Sequence, residues 1–179
     1  TRLRIDRTGF RMQGNIQVPG APGPYAAQIE LEKPVHRVYL LGDGKGKNGF
    51  CLYGVSLEMR GARGVVYHTS GANGAEYRHF NRAPAFWAGA KALHPDLLVV
   101  TLGTNESLDR NFDADNFARE VDSLAGRARA ELGNIPAVLM GPPDIMCNSP
   151  RYSRNSQAAS RVIREAAARH GMGFWDAGA

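Results

Sequence analysis

The sequence predicts an α/β fold built on a parallel sheet, and three observations carry that prediction. Leu97 to Leu102 is a continuous apolar, β-rich run that stops at Gly103; such a run, bounded by a turn signal, reads as a strand buried on both faces. From Gly64 to Asp176 strand-type runs alternate with helical periods, strand, helix, strand, helix, strand. That order is the pattern of βαβ units. The strand-type runs also end in polar, Gly- or Pro-bearing turns: SGANGA at 70–75, GTNE at 103–106 and GPPD at 141–144. In open α/β sheets ligands bind at that carboxyl edge.

Taken in order, residues 1–60 differ from the rest. Leu3–Ile5, Asn15–Val18, Ala26–Leu31, Val35–Leu41 and Phe50–Met59 are expected strands, separated by PGAPGP at 19–24, KP at 33–34 and GDGKGKNG at 42–49. Short strands at this spacing, without a helical period, predict part of an all-β sandwich. The glycine-rich 42–49 loop lacks the order of a phosphate-binding loop. Residues 61–179 form the α/β part. Val65–Thr69 is expected as a strand. Residues 76–93 read as a helix in two pieces broken by Pro84, with Phe86, Trp87, Ala90 and Leu93 on one face. After the Leu97 strand, Asp113 or Asp115 caps a helix to about Leu132, whose Phe117, Val121, Leu124, Ala128 and Leu132 share a stripe, and Gly133 ends it. Ile135–Met140 is a strand. Ser153–His170 is a helix with Ala159, Val162, Ile163, Ala166 and Ala167 inward, stopped by Gly171. Met172–Asp176 is the last strand. Trp87 and Trp175 read as core.

With 179 residues, 43% apolar and 22% charged, the chain has the composition of a globular protein. No run approaches the length of a membrane-spanning helix. The formal charge of +5 favours polyanions in general, but Lys and Arg are scattered, so no nucleic-acid face is expected. Cys51 and Cys147 match neither a metal motif nor a disulfide framework, and no metal site is expected. The chain opens on Thr1 with no signal-peptide pattern, and it stops three residues after a strand. The expectation is a piece of a longer protein.

The chemistry lies in the polar turns. A glycine after a strand lets a backbone N–H point at a ligand, and Asn105 offers a side-chain amide. Two such donors converging on one point form an oxyanion hole, which stabilises the charge of an acyl-transfer transition state. The plainer reading of the 104–106 stretch is a polar loop that starts the next helix. Ser70 beside His68 has the raw material of a triad, but the two share one side of an extended segment that is about to turn. His79 sits on an expected helix. His36, His94 and His170 show no partner pattern.

VVYHTSGANGA at 65–75, DLLVVTLGTNES at 96–107 and VLMGPPD at 138–144 resemble the SGNH (GDSL-type) hydrolases, in particular the peptidoglycan O-acetylesterases. The likeness covers about residues 50–179. It implies a three-layer, flavodoxin-like parallel sheet. LYGVSLEM at 52–59 resembles members that carry an inserted β-sandwich, similar to a carbohydrate-binding module, ahead of the second block. By resemblance, Gly71 supplies the backbone donor, with Gly74 the alternative, and the Asn105 side chain supplies the other. Asn73, Glu106 and Asp144 are candidate substrate contacts. The implied activity is removal of O-acetyl groups from a polysaccharide, peptidoglycan foremost, by a Ser-His-Asp acyl-enzyme route. No cofactor is implied, and the location would be extracytoplasmic.

The sequence departs from the family in two places. The family's nucleophile lies in a G-D-S block, and here Gly42-Asp43 is followed by Gly44. Its histidine lies in a D-x-x-H block, and none occurs here. Both blocks are expected beyond the two ends of this chain, which alone would be inactive. Another SGNH esterase, or a non-catalytic sugar-binding protein on the same scaffold, are the other readings.

Overall fold

The computed structural model describes residues 2–7, 11–17, 25–31, 38–42, 52–59, 61, 63–145 and 150–178. Cys51, Cys147, His36 and the turns expected at 19–24, 33–34 and 43–49 lie outside the described residues. The chain divides into two compact units, Thr1–Tyr67 and His68–Ala179.

The first unit contains an antiparallel sheet of three strands, β1 (Arg2–Arg7), β2 (Arg11–Gln17) and β3 (Tyr39–Gly42), in the order β2-β1-β3. Leu3 pairs with Ile16 on one side and Gly42 on the other, and the register slips between Ile5 and Asp6. The strands expected at 26–31 and 50–59 are not formed over their described residues, 26–31 and 52–59, which carry no regular secondary structure. The same holds for 65–69, where Val65 is 94% exposed. Apolar alternation marks a residue run that could pleat, but a strand exists only where a neighbour completes its ladder. Among the described residues no strand ladder forms with these segments.

The second unit is α/β. In chain order it contains α1 (Tyr77–Asn81), α2 (Pro84–Ala92), β4 (Leu98–Val100), α3 (Thr104–Ser107), α4 (Ala114–Leu132), β5 (Ala137–Gly141), α5 (Pro150–Arg169) and β6 (Gly173–Asp176). The strands are parallel in the order β4-β5-β6. Each crossover joins adjacent parallel strands, and successive crossovers of the same hand place their helices on one face. α4 and α5 accordingly pack against each other.

Local signals explain the elements. Pro84 opens α2, where its missing N–H costs nothing. Asp113 caps α4: its Oδ1 accepts from the amides of Asp115 at 2.9 Å and Asn116 at 3.1 Å. Gly133 and Gly171 leave the helices in left-handed φ, at 73° and 59°. The apolar stripe of α4, Phe117, Val121, Leu124 and Ala128, is buried against Ile163 and Ala166 of α5 and Leu139 of β5. Trp87 is buried among them and donates its indole N–H to the Phe80 carbonyl at 2.9 Å.

Two burial expectations are corrected. The Leu97 run is covered on one face only: Val100 is buried while Val99 is 46% exposed. Trp175, paired with Met140, is 64% exposed rather than core. Both lie on the sheet face opposite α4 and α5, which no described helix covers. Period-two burial along β5 (Ala137, Leu139 and Gly141 in) follows from the same one-sided cover.

The helical face reaches the carboxyl edge through glycines. Gly103 leaves β4 at φ 109°, and a Cβ there would stand 3.2 Å from Ile163 Cδ1. A Cβ on Gly141 would stand 2.5 Å from Ser160 Oγ. Gly103→Ala therefore combines a left-handed backbone with overpacking of a core contact. It should destabilise the unit by about 2–4 kcal/mol, read as a lowered denaturant midpoint at unchanged slope; a loss within about 0.5 kcal/mol would contradict this account of the strand exit.

Candidate active site

Residues 71–77 and 103–107 meet at the carboxyl edge of β4. Leaving β4, the chain turns at Gly103 and enters the four-residue α3. α3 is held at both ends. Ser107, fully buried, returns its hydroxyl to the Gly103 carbonyl at 2.7 Å. From α5, Asn155 Nδ2 donates to the carbonyls of Ser107 at 3.0 Å and Asp109 at 3.1 Å.

This fixed turn grips the other one. Asn105 Nδ2 donates to the Ala75 carbonyl at 2.7 Å. The neighbouring Glu106 accepts the Tyr77 amide on Oε1, also at 2.7 Å. An Asn side chain has two N–H donors, so the bond to Ala75 orients the amide and leaves its second N–H for another acceptor. The 71–74 turn itself is exposed, closed by the Ala75 amide on the Ala72 carbonyl at 3.0 Å. Gly74 takes φ 76°, and the space where a Cβ would stand at Gly71 or Gly74 is open. Both glycines thus present bare backbone beside the residue that Asn105 holds. Asn73, between them, is exposed.

Tyr77 is fully buried, edge-on to Phe117 at 5.5 Å. Its hydroxyl and Glu106 Oε2 are buried without a hydrogen-bond partner among the described residues. Burial holds the Glu106 carboxyl above its ordinary value of 4.5, outweighing the amides of Tyr77, Glu106 and Gly103 that pull it down; the charge of Glu76 adds to the rise. Burial, and then the Glu106 charge, push the Tyr77 phenol up. Glu106 is thus committed to the protein's own backbone.

The histidines sort themselves by place. His79 Nδ1 accepts the Glu76 amide at 3.0 Å, a cap on α1. His170 lies 3.1 Å from Asp122 Oδ1, and it immediately precedes β6, at the amino edge of the sheet. Ser70 and His68 lie in an exposed stretch without regular secondary structure.

A second polar site lies at the carboxyl ends of β5 and β6, a cleft of about 250 Å³ lined by Asp144, Gln157, Ser160, Arg161, Arg164 and Asp176 among others. Asp176 Oδ1 accepts from Ser160 Oγ at 3.1 Å, and its Oδ2 pairs with Arg164 at 3.1 Å. Asp144, expected near the substrate, is exposed on this rim and accepts from Ser153 Oγ at 3.3 Å. Neither the 71–77 turn nor Asn105 lines this cleft. Among the described residues no cluster of three or more His, Cys, Asp or Glu could hold a metal ion, and no helix is long and apolar enough to cross a membrane.

The sequence profile of the GDSL-like lipase/acylhydrolase family matches residues 41–179. The chain belongs to this family. No curated protein gives a significant match. Among solved structures, the chain is similar to a catalytic mutant of an acetylxylan esterase from Geobacillus stearothermophilus, at 16% identity and a TM-score of 0.47, over 56% of this chain and 49% of that one. The chain thus spans about half the length of that esterase.

In this member of the GDSL-like lipase/acylhydrolase family, two contacts of the edge have partners that the sequence did not point to: the Ser107–Asn155 clamp and the bond from the Tyr77 amide to Glu106. Both are contacts between residues 29 or more positions apart, which no local pattern encodes. Glu106 also makes stability depend on pH. A carboxyl raised in the folded state favours the protonated form, so its contribution is full below the unfolded value and is lost as pH rises through the folded one. Glu106→Gln removes that loss. Relative to wild type, the Gln variant should gain unfolding free energy as pH is raised from about 4 to 7, in denaturant titrations at a series of pH values. A difference between the two proteins that stays constant with pH would contradict the raised carboxyl.

Proposed function

We propose that this chain forms the oxyanion half of a carbohydrate esterase that removes O-acetyl groups from a polysaccharide, with peptidoglycan the favoured substrate and an extracytoplasmic location. The observation that carries the reading is the 2.7 Å bond from Asn105 Nδ2 to the Ala75 carbonyl. It brings the asparagine amide against the glycine turn that precedes Tyr77. In this reading a backbone N–H of Gly71, or of Gly74, and the second N–H of Asn105 receive the oxygen of the scissile acetyl group. That oxygen gains charge as a nucleophile adds to the carbonyl carbon, and the donors stabilise it most at that stage. The family's route uses a serine for the addition and a His-Asp pair for proton transfer; the G-D-S and D-x-x-H blocks that carry them do not occur within these 179 residues. The peptidoglycan preference is supported by the likeness of the three sequence blocks and by the formal charge of +5, which suits an anionic wall polymer. Asn73, on the exposed turn, is the nearest candidate for substrate contact, and Asp144 lies on the separate β5–β6 rim.

The same missing blocks favour a second reading, a sugar-binding protein that keeps the scaffold without turnover. A serine-reactive fluorophosphonate separates them. The native protein should be labelled stoichiometrically if it is the esterase, whereas this chain alone should not be labelled; an unlabelled, inactive native protein would support the binder.

Asn105→Ala removes one donor of the pair. In the native protein it should lower acetyl-ester turnover by at least tenfold, toward the roughly 10²–10³ typical of a lost oxyanion donor, while the unfolding transition persists. Turnover at the wild-type rate would remove Asn105 from the mechanism.

A further inference from the structure

We propose that Glu106 is a positioning residue: its grip on the Tyr77 amide fixes the 71–77 backbone against Asn105 and so sets the separation of the two oxyanion donors. The inference rests on the reading above for what those donors do, and on the hydrogen bonds for how they are held.

The geometry supplies the argument. Asn105 and Glu106 are consecutive on α3, and they bond two positions of the facing turn that are themselves two apart, the Ala75 carbonyl and the Tyr77 amide. One bond donates into the turn and the other accepts from it. A single hydrogen bond leaves the turn free to pivot about that contact. A second, of opposite direction and displaced along the chain, removes the pivot.

The rest of the turn has little else to hold it. Residues 71–74 are exposed, no heavy atom lies within 4 Å of the Cβ positions of Gly71 and Gly74, and the local bond is the short Ala75–Ala72 closure. Its anchors are therefore α3 and the buried Tyr77 ring, and only α3 fixes the backbone on both sides of the bend; α3 is itself held by Gly103, Ser107 and Asn155. The Tyr77 amide is also the first of α1, one of the donors that have no partner within a helix. Glu106 supplies that partner from outside.

The carboxylate is costly where it stands. One oxygen is buried without a partner among the described residues, a state that ordinary packing avoids. A neutral acceptor of the same length would satisfy Tyr77 equally well, so the grip is a matter of reach and acceptor position, and the negative charge is incidental to it. This distinguishes positioning from electrostatic participation and sets the test.

The experiment uses the native protein and its Glu106→Ala, Glu106→Asp, Glu106→Gln and Asn105→Ala variants, with 4-nitrophenyl acetate as substrate and hydrogen exchange at the Tyr77 amide as a second readout. Glu106→Ala should lower kcat by about tenfold or more, as misplacement of reacting groups does, with KM within about twofold. Exchange at the Tyr77 amide should quicken by roughly tenfold or more. Glu106→Asp keeps the charge but is one methylene short of the amide, and should fall on the same side as Ala. Glu106→Gln keeps the acceptor and should stay within about threefold of wild type. Wild-type kcat and unchanged exchange in Glu106→Ala would overturn the proposal, as would a Gln variant as slow as Ala. If Glu106→Ala does not fold, Glu106→Asp decides: wild-type turnover and Tyr77 exchange overturn the grip, and loss of both supports it. Asn105→Ala separates the two claims. Wild-type turnover in that variant defeats the functional reading, and Tyr77 exchange in the Glu106 variants still judges the grip.

Discussion

A pair of hydrogen bonds, Asn105 Nδ2 to the Ala75 carbonyl and the Tyr77 amide to Glu106 Oε1, is the constraint on which the site depends. Strands of a parallel sheet fix the positions of their own ends but not of the loops that follow. Here one loop is tied to the core and the other is tied to it. Both bonds are side chain to backbone, so neither would form through secondary structure alone. Each is partly shielded from water, where a lost partner costs up to about 1–3 kcal/mol rather than the smaller net gain of an exposed bond. The pair therefore has enough free energy to hold an exposed turn that makes few contacts of its own.

The grip transmits the order of the core outward. Ile163 of α5 packs at the Gly103 exit from β4, within 3.2 Å of where a side chain would begin. Asn155, two turns earlier on the same helix, holds the carbonyl end of α3. α5 also carries Ser160, which packs at Gly141 at the end of β5, and Ser160 and Arg164 together hold Asp176 at the end of β6. One amphipathic helix thus aligns the carboxyl ends of three strands. Stability is traded against this placement at Glu106 and Tyr77, whose orphan polar atoms sit in the interior.

Much of this was legible in the sequence because it is written locally. Asp113 before a helical stripe, Pro84 at a helix start, and Gly133 and Gly171 at helix ends define α2, α4 and α5 with boundaries close to those observed. The alternation of strand and helix from β4 onward gives the parallel sheet. The strands expected at 26–31, 50–59 and 65–69 do not form over their described residues because a ladder needs a partner that no residue pattern within the segment reveals. Trp175 fails as core for a related reason: its burial depends on what covers a sheet face, and no helix described in the second unit does. At the site, the residue types of the two turns pointed to Gly71, Gly74 and Asn105. That Glu106 lies in a polar turn is read from the sequence; that its partner is Tyr77, 29 positions away, is not. The site's two halves come together only in three dimensions.

The most direct measurement is a crystal structure of the native protein with a phosphonate analogue of an acetyl ester bound, since the phosphonyl oxygen occupies the place of the developing oxyanion. The account predicts that oxygen at about 2.7–3.1 Å from both Asn105 Nδ2 and a backbone nitrogen of the 71–74 turn, with the Ala75 and Tyr77 bonds intact. An oxygen that contacts neither group, or an Asn105 amide swung away to follow it, would contradict the claim that the two turns form one prearranged anion site.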